Sequence, residues 1–557
     1  MSYAIGLDYG TNSVRALLVD TADGSELATA VYDYEHGENG ILLDGSNHNL
    51  ARQSPADYLT GLERTVRQCL DSAVRADPGF DPKQVIGLGV DTTGSTPIPV
   101  DQQGRPLAFH PKYQDHLAAQ AWLWKDHTAH AEAAEITELA RRRRPEYLNV
   151  CGGTYSSEWF FSKILHCLRS APEVFEAAHT WVEHADWLPA VLTGTENPQV
   201  LRRNRCAAGH KAMFSDQWGG YPDREFLTQL DARLGNLSGT LPKQTFAIDE
   251  PAGGLTEMWA DKLGLPAGIP VAMGAFDAHL GAVGSGIAPG VMVKILGTSS
   301  CDLVVRDNHG PQPEIPGICG VVDGSVLPGH YGLEAGQSAV GDIFNWLVNY
   351  IQPGGPQSGG HAALTAKAEK LKPGQSGLLA LDWNNGNRTV LVDQRLTGLL
   401  VGQTLHTRPE EIYRALVEAT AFGALTIVNR FEEYGVATEK IVSCGGISEK
   451  NEMLMQIYAD VTGREMLVSK SAQTCALGAA IAGAVAGGAF PDFHVAQQAM
   501  TGYKSKVFRP IPANQGVYRR LFALYQQLHD AFGIAGADEN LSQVMKELLK
   551  IKDENRG

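Results

Sequence analysis

A chain of 557 residues exceeds what one hydrophobic core supports, so two large domains are expected, with room for an appended third element. Its 43% hydrophobic and 19% charged residues are an ordinary globular mix, while a formal charge of −16 removes the basic face that a duplex nucleic-acid binder needs. Eight cysteines without CxxC spacing suggest neither a disulfide framework nor a structural zinc site, and fit a reducing cytoplasm.

The chain runs from Met1 directly into an alternating segment, without the basic stretch and apolar core of an export signal. Ile5 and Leu7 precede a corner at Gly10, and Val14, Leu17, Leu18 and Val19 follow it, which predicts strand, tight turn, strand. The aromatics Trp122, Trp159, Trp181 and Trp187 are expected in the core, and the basic run Arg141 to Arg144 at a solvated helix end. The segment AVGSGIAPG, about Gly281 to Gly290, predicts a flexible joint between residues 1–285 and 286–557. Just beyond it the opening plan repeats: Val291, Val293 and Ile295, then Gly297-Thr298-Ser299, then Leu303, Val304 and Val305. The Pro, Gly and Ser content of QPGGPQSGGHAALTAKAEKLKPGQSG, from Gln352, suggests a surface excursion. A strand, a Gly445-Gly446 turn and a helix follow, the helix with an apolar face of Met453, Leu454, Ile457, Tyr458 and Val461 and a cap at Gly463. The uncharged stretch from Cys475 to Phe490 is shorter than the ~20 apolar residues of a membrane span. Its small residues predict a buried helix lying close against a sheet or another helix. From about Ala535 the chain is charged, as a terminal helix or frayed tail would be.

The patterns GxxxxGK[ST], HExxH and GxSxG are absent, so nucleotide phosphates would need another holder. A Gly-Thr hairpin supplies one. Gly10 lets the main chain approach closely, successive N–H groups with the Thr11, Asn12 and Ser13 side chains form an anion-binding concavity, and Arg15 adds a charge-assisted bond. A single Gly-Thr turn is usually only a turn, but the second copy raises its weight. Asp8 beside such a loop would repel a nucleotide unless it serves magnesium; the alternative is an aspartate capping its own turn.

Asp8, Gly10, Thr11, Ser13 and Arg15, with Gly297-Thr298, GGISEKN from Gly445 and the aspartate of GAFDAHLGAVGSG, resemble the FGGY carbohydrate kinases of the actin-like ATPase superfamily over nearly the whole chain. The resemblance implies an α/β fold of two actin-like ATPase (ribonuclease H-like) domains, each a mixed sheet flanked by helices, with sugar and ATP meeting in an interdomain cleft. Residues 1–285 would bind sugar and carry the first phosphate loop; residues 286–557 would bind nucleotide. Asp277 matches the family's catalytic base and, with Asp8, its magnesium partners. Lys211 and Glu334 would bond sugar hydroxyls, Thr96 would fix the sugar's other end, and Trp124 and Asp126 would stand near it. Gly297 and Thr298 match the second phosphate loop, and Gly341 and Asn345 match positions at the phosphates and base. Gly445 and Gly446 would admit adenine against bare backbone, with Glu449 or Asn451 reaching its edge or the ribose.

The segments from Val90, Trp124, Tyr155, His184, Arg205, Gly317 and Gly332 resemble members that act on L-ribulose, making L-ribulose 5-phosphate in L-arabinose catabolism. Other members carry different residues where Gly94 to Pro97 stand here. Another pentulose, a pentitol, or a non-transferring nucleotide-driven module on the same fold stay as alternatives. The implied partners are ATP, magnesium and a small sugar, with no nucleic acid and no membrane; a homodimer stays open.

Overall fold

The computed structural model describes residues 1–355, 359–538 and 541–555. Two mixed sheets organise it. The first runs, in spatial order, Pro251–Gly254, Pro270–Ala272, Val85–Thr92, Tyr3–Tyr9, Ser13–Asp20, Glu26–Asp33, with Ala275–Phe276 also paired to Val85–Thr92. The second runs Gly320–Asp323, His330–Ala335, Ser300–Asp307, Gly290–Leu296, Thr438–Cys444, Glu465–Val468. Each has a hairpin at its heart, Tyr3–Tyr9 with Ser13–Asp20 and Gly290–Leu296 with Ser300–Asp307, and a third strand lies parallel to the first strand of each hairpin. The sequence echo is therefore an echo of topology.

The central strands are covered on both faces, which is why Ile5, Leu7, Leu17 and Leu18 are all buried instead of alternating with exposed residues. One cover is the Ala/Gly-rich helix Thr474–Ala486, which comes from the second half of the chain yet lies on the first sheet. Glycines make the approach: a Cβ at Gly6 or Gly89 would stand 1.8 Å from the carbonyl oxygen of Ala476 or Ala479. The same helix packs on Asp277–Gly284, where a Cβ on Gly284 would stand 2.1 Å from Thr474 O. A single apolar cluster thus draws Ala4, Leu17 and Val19 together with Val293, Leu303 and Val442, through this helix pair.

That packing revises the flexible joint. Gly281 and Gly284 lie inside a buried helix as close-contact positions, and the chain leaves the helix only at Ser285. The excursion from Gln352 also holds more order than its composition suggests: His361–Ala368 is helical with Leu364 and Ala368 buried, while residues 356–358 lie outside the described residues. Near the C-terminus Val544–Glu554 is a helix that buries Val544, Leu548 and Ile551; residues 539–540 and 556–557 of that stretch lie outside the described residues. Trp122, Trp159, Trp181 and Trp187 are core residues. The basic run closes the His130–Arg143 helix, and Arg144 pairs with Asp223 at 2.7 Å. No helix among the described residues is long and apolar enough to cross a membrane.

Candidate active site

The two hairpin loops are held from outside. Gly10 N donates to Ser13 O at 2.9 Å, Gln53 Nε2 donates to Thr11 O at 2.7 Å, and Trp124 Nε1 donates to Thr11 Oγ1 at 3.0 Å. Asn12 Nδ2 donates to Asn39 O at 2.6 Å. Trp124, expected beside the substrate, thus reaches the first loop. In the second loop Gly297 N donates to Ser299 O at 3.0 Å, and Thr298 O accepts from Val340 N at 2.8 Å and Asp342 N at 3.1 Å. Gly341 seals against it: its N–H donates to Gly297 O at 3.0 Å, and a Cβ there would stand 2.6 Å from that oxygen.

Gly445 is similarly confined. Its φ of +92° favours glycine, and a Cβ would meet Leu296 O at 2.4 Å. Gly446 has open space where a side chain would be, the bare backbone expected for a flat ring. Asn345 is exposed at the end of Gly341–Asn345 and accepts a bond from Asn349. Glu449 pairs with Lys504 at 3.0 Å. Asn451 Oδ1 accepts from Leu454 N at 3.0 Å, capping Glu452–Thr462, so its oxygen is engaged by its own helix.

Three carboxyls influence one another electrostatically where the strands of the first sheet end. Asp8 and Asp91 are directly paired in the parallel register, so their side chains leave the same face; Asp91 is also opposite Ala275, and Asp277 follows two residues later at a helix start. Arg15 lies 3.6 Å from Asp8. Asp91 is fully buried, and the Asp8 carboxyl is the one group its oxygens engage, with no N–H or hydroxyl donor on them. Burial foremost, then the charges of Asp8 and Asp277, raise the Asp91 carboxyl well above the usual range. Burial also raises Asp8, and burial with Asp8's charge pushes Asp277 up to about 7. All-oxygen donors of this kind suit magnesium. Asp91 was not among the expected residues, although it ends an apolar run, Ile86 to Val90, much as Asp8 ends Ile5 to Leu7. Only the parallel pairing makes the two neighbours.

The N-terminus of Thr474–Ala486 ties this corner to the second sheet. Burial raises the Cys475 thiol, as do Asp8, Asp91, Asp277 and then Cys444, the last residue before Gly445.

On the sugar side, Lys211 Nζ stands 3.0 Å from both oxygens of Glu334, with both side chains buried. Lys211 belongs to the Arg205–Ala212 helix, whose first turn is capped by Asn204 accepting from Ala207 N at 2.6 Å; Glu334 lies on His330–Ala335 of the other sheet. Burial alone would raise the Glu334 carboxyl, but Lys211 and, after it, two neighbouring histidines hold it far below the usual range. Lys211 and Glu334 both act on Asp277 electrostatically, which couples the pair to the base. Thr96 is fixed from behind: its N–H donates to Glu183 Oε2 at 2.7 Å, and Lys163 Nζ donates to Ser95 O at 2.8 Å.

Asp126 departs from expectation. It is fully buried, pairs with Arg52, and accepts from Ala51 N at 2.8 Å and from Thr128. Arg52 in turn lies over the Trp122 ring at 3.4 Å. With no exposed surface and these partners, the Asp126 carboxylate anchors its segment and is withdrawn from a sugar.

Comparison with known proteins follows the same outline. The model of the N-terminal domain of the FGGY family of carbohydrate kinases matches residues 3–284, and that of the C-terminal domain matches residues 292–487. A ribulokinase of Shouchella clausii (strain KSM-K16) is 43% identical over 572 residues, covering 100% of this chain and 99% of the relative. A ribulokinase of Mycolicibacterium smegmatis is 42% identical, covering 95% and 94%. Among solved structures, xylulose kinase from Rhodospirillum rubrum superposes with a TM-score of 0.75 at 24% identity, over 95% of this chain and 99% of that one. Plasmodium falciparum glycerol kinase with ADP gives 0.75 at 17% identity, over 96% and 99%. At such identities the likeness is one of fold: two actin-like ATPase domains.

Proposed function

Since the chain belongs to the FGGY family of carbohydrate kinases, we propose that it transfers the γ-phosphoryl group of ATP to L-ribulose, making L-ribulose 5-phosphate in L-arabinose catabolism. The observation that supports this most is a buried Lys211 and Glu334 pair, electrostatically coupled to Asp277, in a chain with a duplicated Gly-Thr loop. The names of relatives 41–43% identical over nearly all of the chain point to the sugar.

Lys211 and Glu334 offer a donor and an acceptor to sugar hydroxyls, and the peptide around Thr96, held by Glu183, fixes the other end. Asp277 accepts the proton of the terminal hydroxyl as its oxygen attacks the γ-phosphorus; the bond to the bridging oxygen breaks and ADP leaves. The N–H groups of the Gly10 and Gly297 loops cradle the phosphates, with Arg15 adding charge. Magnesium carried with the nucleotide supplies charge neutralisation, and Asp8, Asp91 and Asp277 are the residues that would hold it. A cytoplasmic location belongs to the same reading, in keeping with eight free cysteines.

A coupled ADP-release assay over L-ribulose, D-ribulose, xylulose, ribitol and glycerol tests the reading. Strong dependence on L-ribulose is expected; preference for another sugar, or hydrolysis independent of sugar, would refute it. For the metal, Asp91→Asn should weaken Mn2+ binding in the presence of ADP by about tenfold, read by electron paramagnetic resonance, while ADP affinity without metal stays unchanged. Native Mn2+ affinity in that variant would remove Asp91 from the set.

A further inference from the structure

Two imidazoles flank the Lys211 and Glu334 pair and have no part in the transfer described above. His279 sits in the first turn of Asp277–Gly284, and His210 precedes Lys211. Their ring centroids are 4.5 Å apart. His279 Nε2 is 3.8 Å and His210 Nδ1 3.6 Å from Glu334 Oε2, both beyond hydrogen-bonding distance. His210 is otherwise anchored: its Nε2 is 2.9 Å from Ser325 Oγ, and Gly320 makes room for it, since a Cβ there would stand 2.1 Å from His210 Nδ1.

His279 differs. It is 2% exposed, and neither ring nitrogen has a partner. A neutral imidazole presents one N–H donor and one bare acceptor, and here both are left without a protein partner. A polar group buried without partners is costly, and native interiors seldom tolerate one unless something else satisfies it. Here the ring stands two residues after Asp277 with Nε2 3.8 Å from Glu334 Oε2, where a polyhydroxylated ligand would bring hydroxyls that both donate and accept.

The same three side chains are also a donor set for a transition metal, since one ligand atom from each of His210, His279 and Glu334 lies within 4.8 Å of the others. The Lys211 ammonium argues against that use. It already stands 3.0 Å from both Glu334 oxygens, where a divalent ion would have to displace it.

We propose that His279 is a specificity-determining residue that hydrogen-bonds a secondary hydroxyl of the sugar, with His210 as the support that keeps its ring in place. This deepens the functional reading above and rests on it. A neutral imidazole that can both give and take a hydrogen bond accepts a hydroxyl in either role, and it leaves the negative charge of Glu334 to Lys211. A sugar lacking that hydroxyl would leave His279 buried and unpaired, so discrimination should be strong.

The test pairs a side-chain deletion with a hydroxyl deletion. His279→Leu should raise KM for L-ribulose about 10- to 100-fold, with kcat within a few-fold and KM for ATP and Tm near native. Across a set of L-ribulose analogues each lacking one secondary hydroxyl, the native enzyme should discriminate against one of them about tenfold or more, and His279→Leu should lose that discrimination. His279→Gln, which keeps a donor and an acceptor, should restore part of the native KM; it also provides the test if the leucine variant fails to fold. Native discrimination in a folded His279 variant overturns the proposal. So does inhibition by micromolar Zn2+ that competes with sugar and disappears in His279→Leu, which would make the cluster a metal site. Turnover of the native enzyme on L-ribulose is read separately. If that is absent the functional reading fails, whereas if it is present and the variants discriminate like the native enzyme only this inference fails.

Discussion

Asp277→Asn is expected to lower kcat by about 10²- to 10⁴-fold while leaving ATP affinity within a few-fold of native. Asp277 opens the Asp277–Gly284 helix, and its Oδ1 accepts from Ala278 N at 2.7 Å. Asparagine has the same size and keeps a carbonyl oxygen for that bond, so the helix start survives, but it cannot take up a proton. The side chain is partly accessible, unlike the fully buried Asp91, so it can meet a hydroxyl entering from solvent. Single-turnover measurement with saturating ATP and L-ribulose isolates the chemical step, and Mn2+ titration alongside shows how far the metal set is disturbed. A variant that keeps a tenth or more of native turnover would not have lost its base.

The hairpin loops could be seen in the sequence because their signals are local: apolar residues before and after Gly10, and the same around Gly297. The βα unit at Gly445 was legible for the same reason. Lys211 and Glu334 are 123 positions apart, and nothing in either neighbourhood announces the other; only family likeness brought them forward. Asp91 and His279 escaped notice because their significance is the absence of an N–H or hydroxyl partner, which a sequence does not display. The partners of Asp126 are hidden for the complementary reason, since Arg52 lies 74 positions before it and Ala51 beside that. Between Glu449 and Asn451 the sequence does not choose, and the helix break that makes Asn451 a cap is visible only in the structure. The glycine content of Gly281 to Gly290 suggests a joint, although glycine serves close helix packing as readily as flexibility, as Gly281 and Gly284 do.

Gly478→Val should destabilise the protein by about 3 kcal/mol or more, lowering Tm by roughly 3–5 °C. Gly478 lies in Thr474–Ala486 where that helix crosses Asp277–Gly284, and a Cβ there would stand 1.8 Å from Leu280 O and 3.1 Å from Gly284 N. These are backbone atoms of a neighbouring helix, so no rotamer change relieves the clash. Either the helix pair separates or Thr474–Ala486 lifts from Gly6, Gly87 and Gly89 of the first sheet, where it has the same kind of backbone contact. Both routes move Asp277 relative to Asp8 and Cys475, so activity should fall along with stability. Gly516→Ala is the control: it lies in the Pro512–Gly533 helix with open space at its Cβ, and alanine there should be neutral or stabilising by about 0.5–1 kcal/mol. Thermal unfolding of the two variants against the native chain reads the difference. Equal Tm values would mean that this helix crossing yields easily, and that the two sheets are not held in register by the close contact of their glycines.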